Sequence, residues 1–249
     1  MASPTLSVCP SICRFRSGCE SRMPATRASF SRVPGFNVAL PVSNSTSERF
    51  TIYDDVLRQS GVIRARSLRE MLEFARALPI LPTPKGDSIV IITGAGGSGV
   101  LLSDAVVDNG LSLVTFPPDL DAAFKKFIPP FGASGNPVDI TGGEPPKTYQ
   151  NTVRFGLEDP RIHALILGYW HTIVTPPMVF AKLLAEIVEE MRGKGIDKPI
   201  VVSLAGDVEV EEASEYLFDH KIPAYPYSTE IPVDVLGAKY KWARGAGLL

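Results

Sequence analysis

Cysteine is absent after residue 19, histidine is absent before residue 163, and no run of about 18 apolar residues occurs anywhere. Each absence excludes something. Cys9, Cys13 and Cys19 are confined to the opening stretch, so neither a disulfide framework nor a cysteine-based zinc site is expected in the rest of the chain. The three histidines, His163, His171 and His220, place no pair at i, i+4 on a helix face, so the sequence predicts no metal site. The missing apolar run excludes a spanning helix. An excess of positive charge is missing too: a formal net charge of −2 is not the footprint of a nucleic-acid binder.

What is present is ordinary globular usage, 45% hydrophobic and 21% charged residues over 249 positions. That length suits one large domain or two modest ones. The first 50 residues differ from the rest. They hold six arginines (Arg14, Arg16, Arg22, Arg27, Arg32, Arg49) against two acids, Glu20 and Glu48. Arg-rich, Ser-rich and acid-poor is the composition of an organelle transit peptide, and a disordered leader is the other reading. The expected location is cytoplasmic, or the mitochondrial matrix if the stretch is a transit peptide.

After the leader, residues 53–59 read as a short helix closed by Gly61. Ser67 caps a second helix, with Glu70 completing a capping box and Leu68, Met71, Leu72, Ala75 and Leu78 as its apolar stripe. A proline-rich linker follows at 79–85. Strands are then expected at 88–93, 112–116, 137–141, 164–168, 200–204 and 223–225. Helices are expected between and after them, at 99–109, 119–128, 146–157, 209–218 and 231–242. A further helix is capped by Thr175, has Pro176 in its first turn and ends before Gly193. Val100, Leu101, Ala105 and Val106 are the expected inner face of the helix at 99–109. This alternation implies right-handed βαβ units, and residues 85–249 read as one α/β domain, a flavodoxin-like doubly wound parallel sheet. Ligands of such sheets bind beyond the carboxyl ends of the strands. The loops to watch are therefore 94–99, 139–143, 169–175, 205–207 and 226–229.

The strongest chemical signal is Thr93-Gly94-Ala95-Gly96-Gly97-Ser98-Gly99, between the first strand and its helix. Glycines let backbone N–H groups approach an anion, and a helix start adds the positive end of its dipole. Gly94, Gly96 and Gly99 satisfy the dinucleotide spacing, but no acid ends the next strand, which argues against NAD. No lysine follows the glycines, so this is not a P-loop. Gly-x-Ser-x-Gly is not matched around Ser98, which leaves a hydrolase using Ser98 and His171 as the weakest alternative. The second cluster is Gly135-Asn136-Pro137-Val138-Asp139-Ile140-Thr141-Gly142-Gly143. Asn136 and Asp139 there either order the loop as turn residues or contact a ligand. His171 is placed after a strand, where it acts as an acid or base, contacts a ligand, or simply covers an aromatic patch.

These segments form an ordered series. Tyr53-Asp54-Asp55-Val56-Leu57-Arg58-Gln59-Ser60-Gly61, the glycine loop, Asn136-Pro137-Val138-Asp139-Ile140-Thr141-Gly142, Lys198-Pro199-Ile200-Val201-Val202-Ser203 and Ile222-Pro223-Ala224-Tyr225-Pro226 together resemble the NDP-forming acyl-CoA synthetases, relatives of succinyl-CoA synthetase. The resemblance covers about 53–246. It implies a ligase that forms an acyl phosphate and passes the phosphoryl group through a histidine to a nucleotide. It also implies that residues 51–84 are the helical tail of a preceding domain and that 85–249 are the second flavodoxin-like domain. By position, Gly94, Gly96, Gly97, Ser98 and Gly99 correspond to the phosphate-binding helix start. Asn136, Asp139, Thr141, Gly142 and His171 correspond to the pocket wall. The family's phosphorylated histidine sits in a Ser-His-Thr-Gly motif upstream of the Tyr-Asp pair. Here that region reads Pro41-Val42-Ser43-Asn44-Ser45-Thr46-Ser47. No ATP-grasp domain is present either. The resemblance therefore implies no catalytic residue in this chain and no cofactor bound directly. CoA, ATP or ADP and Mg belong to other domains or subunits, which are the expected partners, and the chain alone is expected to be inactive. A non-catalytic module that binds phosphate or CoA is the alternative.

Overall fold

The computed structural model describes residues 29–33, 36–40, 56–57 and 61–249, the first two stretches by their backbone alone. The cysteines, the Pro41–Ser47 segment and most of the helix expected at 53–59 lie outside the described residues.

Six strands and six helices build the main body. β4 (Ser88–Thr93) is followed by α2 (Gly96–Asp108), β5 (Ser112–Leu113), α3 (Pro118–Phe124) and β6 (Val138–Asp139). Next come α4 (Pro146–Glu158), β7 (Ala164–Trp170), α5 (Pro177–Gly193), β8 (Ile200–Ala205), α6 (Glu209–Asp219), β9 (Ala224–Pro226) and α7 (Glu230–Gly245). All pairings are parallel, in the order β5-β4-β7-β8-β9. The chain thus winds outward from β4 in one direction, then crosses to the other side at β7. This is the flavodoxin-like doubly wound order that the alternation implied.

The strands are apolar on both sides because both sides are covered. Ile89 and Ile91 of β4 pack with α1 (Leu68–Ala77), α2 and α7. Val90 and Ile92 point to the opposite face, against α3, α4, α5 and α6. The period-2 alternation of side chains thus divides one apolar run between two cores.

β6 pairs with β4 outside the main path. β5 takes the first half of β4, with Ser88 opposite Ser112 and Ile89 opposite Leu113. β6 takes the second half, with Ile92 opposite Val138 and Thr93 opposite Asp139. The gap between them is filled by the side chain of Asn136. Its Oδ1 accepts from the Ile91 amide at 3.0 Å, and its Nδ2 donates to the Ile89 and Val114 carbonyls at 2.8 and 3.1 Å. An asparagine amide carries the same donor and acceptor as a peptide, so it completes the ladder where no strand reaches.

Several boundaries move. α2 begins at Gly96, three residues before the expected start. β5 keeps only two residues of the expected 112–116. Thr175 does not cap α5. The cap is Pro176, and the buried Thr175 hydroxyl donates to the Glu144 carbonyl at 2.9 Å. Ser67 does cap α1, accepting from the Glu70 amide at 3.1 Å, while the Glu70 carboxylate takes the Arg66 amide. The expected stripe of α1 is rotated: Leu68 and Leu72 are exposed, and Phe74, Ala77 and Leu78 are buried. Within the stretch read as a leader, β1 (Ser29–Val33) and β2 (Phe36–Leu40) form an antiparallel hairpin. β2 also pairs in parallel with β3 (Ile63–Arg64).

Candidate functional site

The glycine loop becomes the first turn of α2. Thr93 is fully buried at the end of β4, and its hydroxyl both accepts from the Ala95 amide and donates to the Ala95 carbonyl. The Gly94 amide donates to the Gly168 carbonyl of β7 at 3.0 Å. The chain is thereby turned from sheet to helix within two residues. Gly99 makes the first helical bond, to the Ala95 carbonyl. The amides of Gly96, Gly97 and Ser98 come before it and have no partner inside the helix. The capping residue, Ala95, offers no side-chain oxygen, and no acidic residue lies in the first turn. The positive end of the dipole is left without a cap of its own.

The four glycines are not equivalent. A Cβ on Gly94 would lie 2.2 Å from the Tyr149 hydroxyl, and one on Gly96 would lie 2.7 Å from Oδ2 of Asp139. A Cβ on Gly99 would press on Thr93 and Pro137, at 3.0 and 3.3 Å. At Gly97 it would meet nothing within 4 Å. Gly94, Gly96 and Gly99 are needed for close packing, whereas Gly97 faces open space.

That space is a cleft of about 590 Å³ at the carboxyl ends of β4, β7, β8 and β9. Gly94, Ala95, Gly97, Ser98 and Leu101 form one wall, and Gly142, Trp170, Ala205 and Thr229 the rest. It lies where the strand order reverses, between β4 and β7, the expected ligand position for this topology.

Asp139 shapes the near side. Its Oδ1 accepts from the Thr141 amide at 2.8 Å, and its Oδ2 lies against Gly96. One carboxylate thus sits beside the helix start and leaves the Gly97–Ser98 side open. Thr141 is held at φ 64°, a left-handed conformation that a β-branched residue adopts only under strain. The Gly142 next to it runs against the Gly94 carbonyl, at 3.2 Å from where its Cβ would be. Tyr149, from α4, packs against Tyr169 and Phe180. Burial, reinforced by the Asp139 charge, pushes its phenol well above the ordinary value, so it remains an O–H donor.

Of the ten residues the sequence singled out, Gly94, Gly97, Ser98 and Gly142 line the cleft. Gly96, Asp139 and Thr141 do not line it but adjoin residues that do, with Asp139 against Gly96 and bonded to the Thr141 amide, and Gly99 packs against Thr93 and Pro137. Asn136 spends its amide on the sheet. His171 is not among the residues that line the cleft, whereas Trp170 is. Its Nδ1 is 3.1 Å from Asp207 Oδ1, and its Nε2 is 3.7 Å from Glu209 Oε2. Ser98 and His171 are thus turned to different neighbours. The other two histidines are structural. His163 accepts from the Ser88 amide at 3.2 Å, its pKa lowered by burial, and His220 stacks on Tyr216 at the end of α6. Trp170, Ala205 and Thr229 were not named individually, but each lies in or beside a strand-end loop that the topology marked.

Comparison with known proteins agrees with this architecture. The family model for the Ligase-CoA domain matches residues 89–249. The alpha subunit of acetate–CoA ligase (ADP-forming) I from Pyrococcus furiosus is 37% identical over 210 residues, which are 84% of this chain and 44% of that subunit. The 4-hydroxybutyrate–CoA ligase (ADP-forming) of Nitrosopumilus maritimus is 32% identical over 71% of this chain and 24% of its own length. Among solved structures, the dinucleotide-forming acetyl-coenzyme A synthetase 1 of Ca. Korarchaeum cryptofilum in complex with phosphate and ADP superimposes with a TM-score of 0.74. It is 33% identical over 84% of this chain and 43% of that one. The chain therefore spans less than half the length of these relatives.

Proposed function

The chain belongs to the Ligase-CoA domain family, and from that premise we propose that it is one module of an NDP-forming acyl-CoA synthetase. Its task is to hold a phosphoryl group, as phosphate, acyl phosphate or phosphohistidine, at the start of α2. The observation that carries this reading is the uncapped first turn of α2. Three amides there have no helical partner, two of them in residues that line the cleft, Gly97 and Ser98, and of the four loop glycines Gly97 is the one with free space in front of it. A helix N-terminus with close backbone access favours an anion through both dipole and hydrogen bonds. The related Korarchaeum synthetase is described with phosphate and ADP, in keeping with such a ligand.

On this reading the module supplies binding and charge stabilisation, and the chemistry comes from elsewhere. CoA, ATP or ADP and Mg belong to CoA-binding and ATP-grasp domains, in the same enzyme or in partner subunits. The phosphorylated histidine comes from outside the residues described here, so the module by itself is inactive. Fixed backbone dipoles suit such a role, because they need no reorganisation when the phosphoryl group arrives.

Calorimetric titration with inorganic phosphate and with acetyl phosphate tests the reading. Parent protein is expected to bind both. Gly97→Val places a branched side chain in the open space before the helix start and is expected to abolish binding, with the circular dichroism spectrum unchanged. Equal affinity in parent and variant would reduce the glycine loop to a turn. Binding of phosphate but no acyl-CoA formation after addition of the companion domains would favour the non-catalytic alternative.

A further inference from the structure

A second constellation lies beside the cleft, on the far side of the same sheet edge. His171 follows Trp170 at the end of β7, and its amide donates to the Ala205 carbonyl at 2.7 Å. Asp207 and Glu209 lie where β8 passes into α6. Gly206 permits the approach: a Cβ there would stand 2.6 Å from the His171 Cβ and 2.8 Å from Val210 Cγ1. One ligand atom from each of His171, Asp207 and Glu209 falls within 4.8 Å of the others.

The two ring contacts differ in kind. Nδ1 lies 3.1 Å from Asp207 Oδ1, a hydrogen-bond distance. Nε2 lies 3.7 Å from Glu209 Oε2, too far for one. In the tautomer that donates its Nδ1 proton to Asp207, the lone pair of Nε2 faces a carboxylate oxygen. A divalent cation held between the two would satisfy both. Zinc bonds of about 2.0–2.2 Å to nitrogen and oxygen, opened somewhat beyond the tetrahedral angle, span this gap. A carboxylate on the far nitrogen of a ligating imidazole is the usual way in which its tautomer and orientation are fixed.

We propose that His171 and Glu209 form a binding site for a first-row divalent cation such as zinc, with Asp207 as the positioning residue for the imidazole. Imidazole and carboxylate together suit zinc, manganese or cobalt rather than a soft, thiolate-seeking ion. Glu209 and Asp207 are largely exposed and His171 is partly covered. The remaining positions on the ion are therefore open to water or to a ligand oxygen. The site is independent of the phosphoryl role of α2, because none of its three residues lines the cleft.

The test is a zinc titration near neutral pH on the full chain carrying Cys9→Ser, Cys13→Ser and Cys19→Ser, which removes the competing thiols. Heat is followed by calorimetry, and the three histidine rings by NMR. One equivalent is expected to bind with micromolar affinity and to shift the His171 ring alone, leaving His163 and His220 as internal references. Glu209→Gln, a conservative surface change, is expected to weaken binding by about tenfold or more, and His171→Ala to remove it. Asp207→Asn spares both ligands and is expected to cost about 10-fold. Superimposable isotherms for the parent and Glu209→Gln would overturn the site. So would His171 signals that move with pH and not with zinc, because a proton alone then fills the gap.

Discussion

Thr141 carries backbone strain next to the cleft. A β-branched residue at φ 64° is disfavoured, and such strain costs on the order of 1–3 kcal/mol. The Asp139 carboxylate holds it there by accepting the Thr141 amide. Thr141→Gly relieves the strain and gives back part of the gain as chain entropy. The expected net effect is a stabilisation of about 1 kcal/mol in urea denaturation, with weaker phosphate binding as the loop loosens. A loss of stability would show that the threonine side chain holds the loop by contacts that outweigh its conformation. At this scale the sequence marks the glycines only as a group and not as individuals. The spacing marked all of them as anion-binding, but only neighbours distant in sequence, Tyr149, Asp139 and Pro137, decide which glycines are needed for packing. Gly97 is left as the one whose substitution tests the site alone.

Among the elements, the β5–β6 gap is the least readable from sequence and the most consequential for the site. Asn136 stands in for three backbone partners, and the β6 it precedes carries Asp139 to the helix start. Asn136→Ala leaves the Ile91 amide without its acceptor and removes a donor from the Val114 and Ile89 carbonyls, the latter keeping the Val114 amide at 3.0 Å. The expected loss is about 2–4 kcal/mol, measured by urea denaturation, with hydrogen exchange at Ile91 quickened in the same experiment. Unchanged exchange there would mean that another group takes over the ladder. The same segment was read as a turn or a pocket wall, because Asn, Pro, Asp and Gly signal turns wherever they occur. The start of α2 was placed too late for a related reason: three glycines in four residues read as loop, and no Ser, Thr, Asp or Asn precedes Gly96 as a cap. Its expected inner face was half right, since Ala105 and Val106 are buried as expected. Val100 and Leu101 are exposed, and Leu102, Ala105 and Val106 are buried. The helix is apolar on nearly every side, so periodicity alone could not choose the face.

Over the whole molecule, the doubly wound order was legible because its strands are continuous apolar runs and its helices carry clear stops. That order alone places the cleft at the reversal between β4 and β7. The loops named from topology are the ones that line it. The antiparallel pairing of β1 with β2 was not legible, since the composition there is that of a leader and the partner strand of β2, β3, lies further along the chain. No helix among the described residues is long and apolar enough to cross a membrane. On the proposed function, this architecture presents the α2 start to a phosphoryl group. The most direct test is phosphate titration of the isotopically labelled chain, followed amide by amide by NMR. Saturable shifts are expected, greatest at Gly96, Gly97 and Ser98, with smaller ones at Thr141 and Gly142. Shifts elsewhere with those three amides unmoved would contradict it.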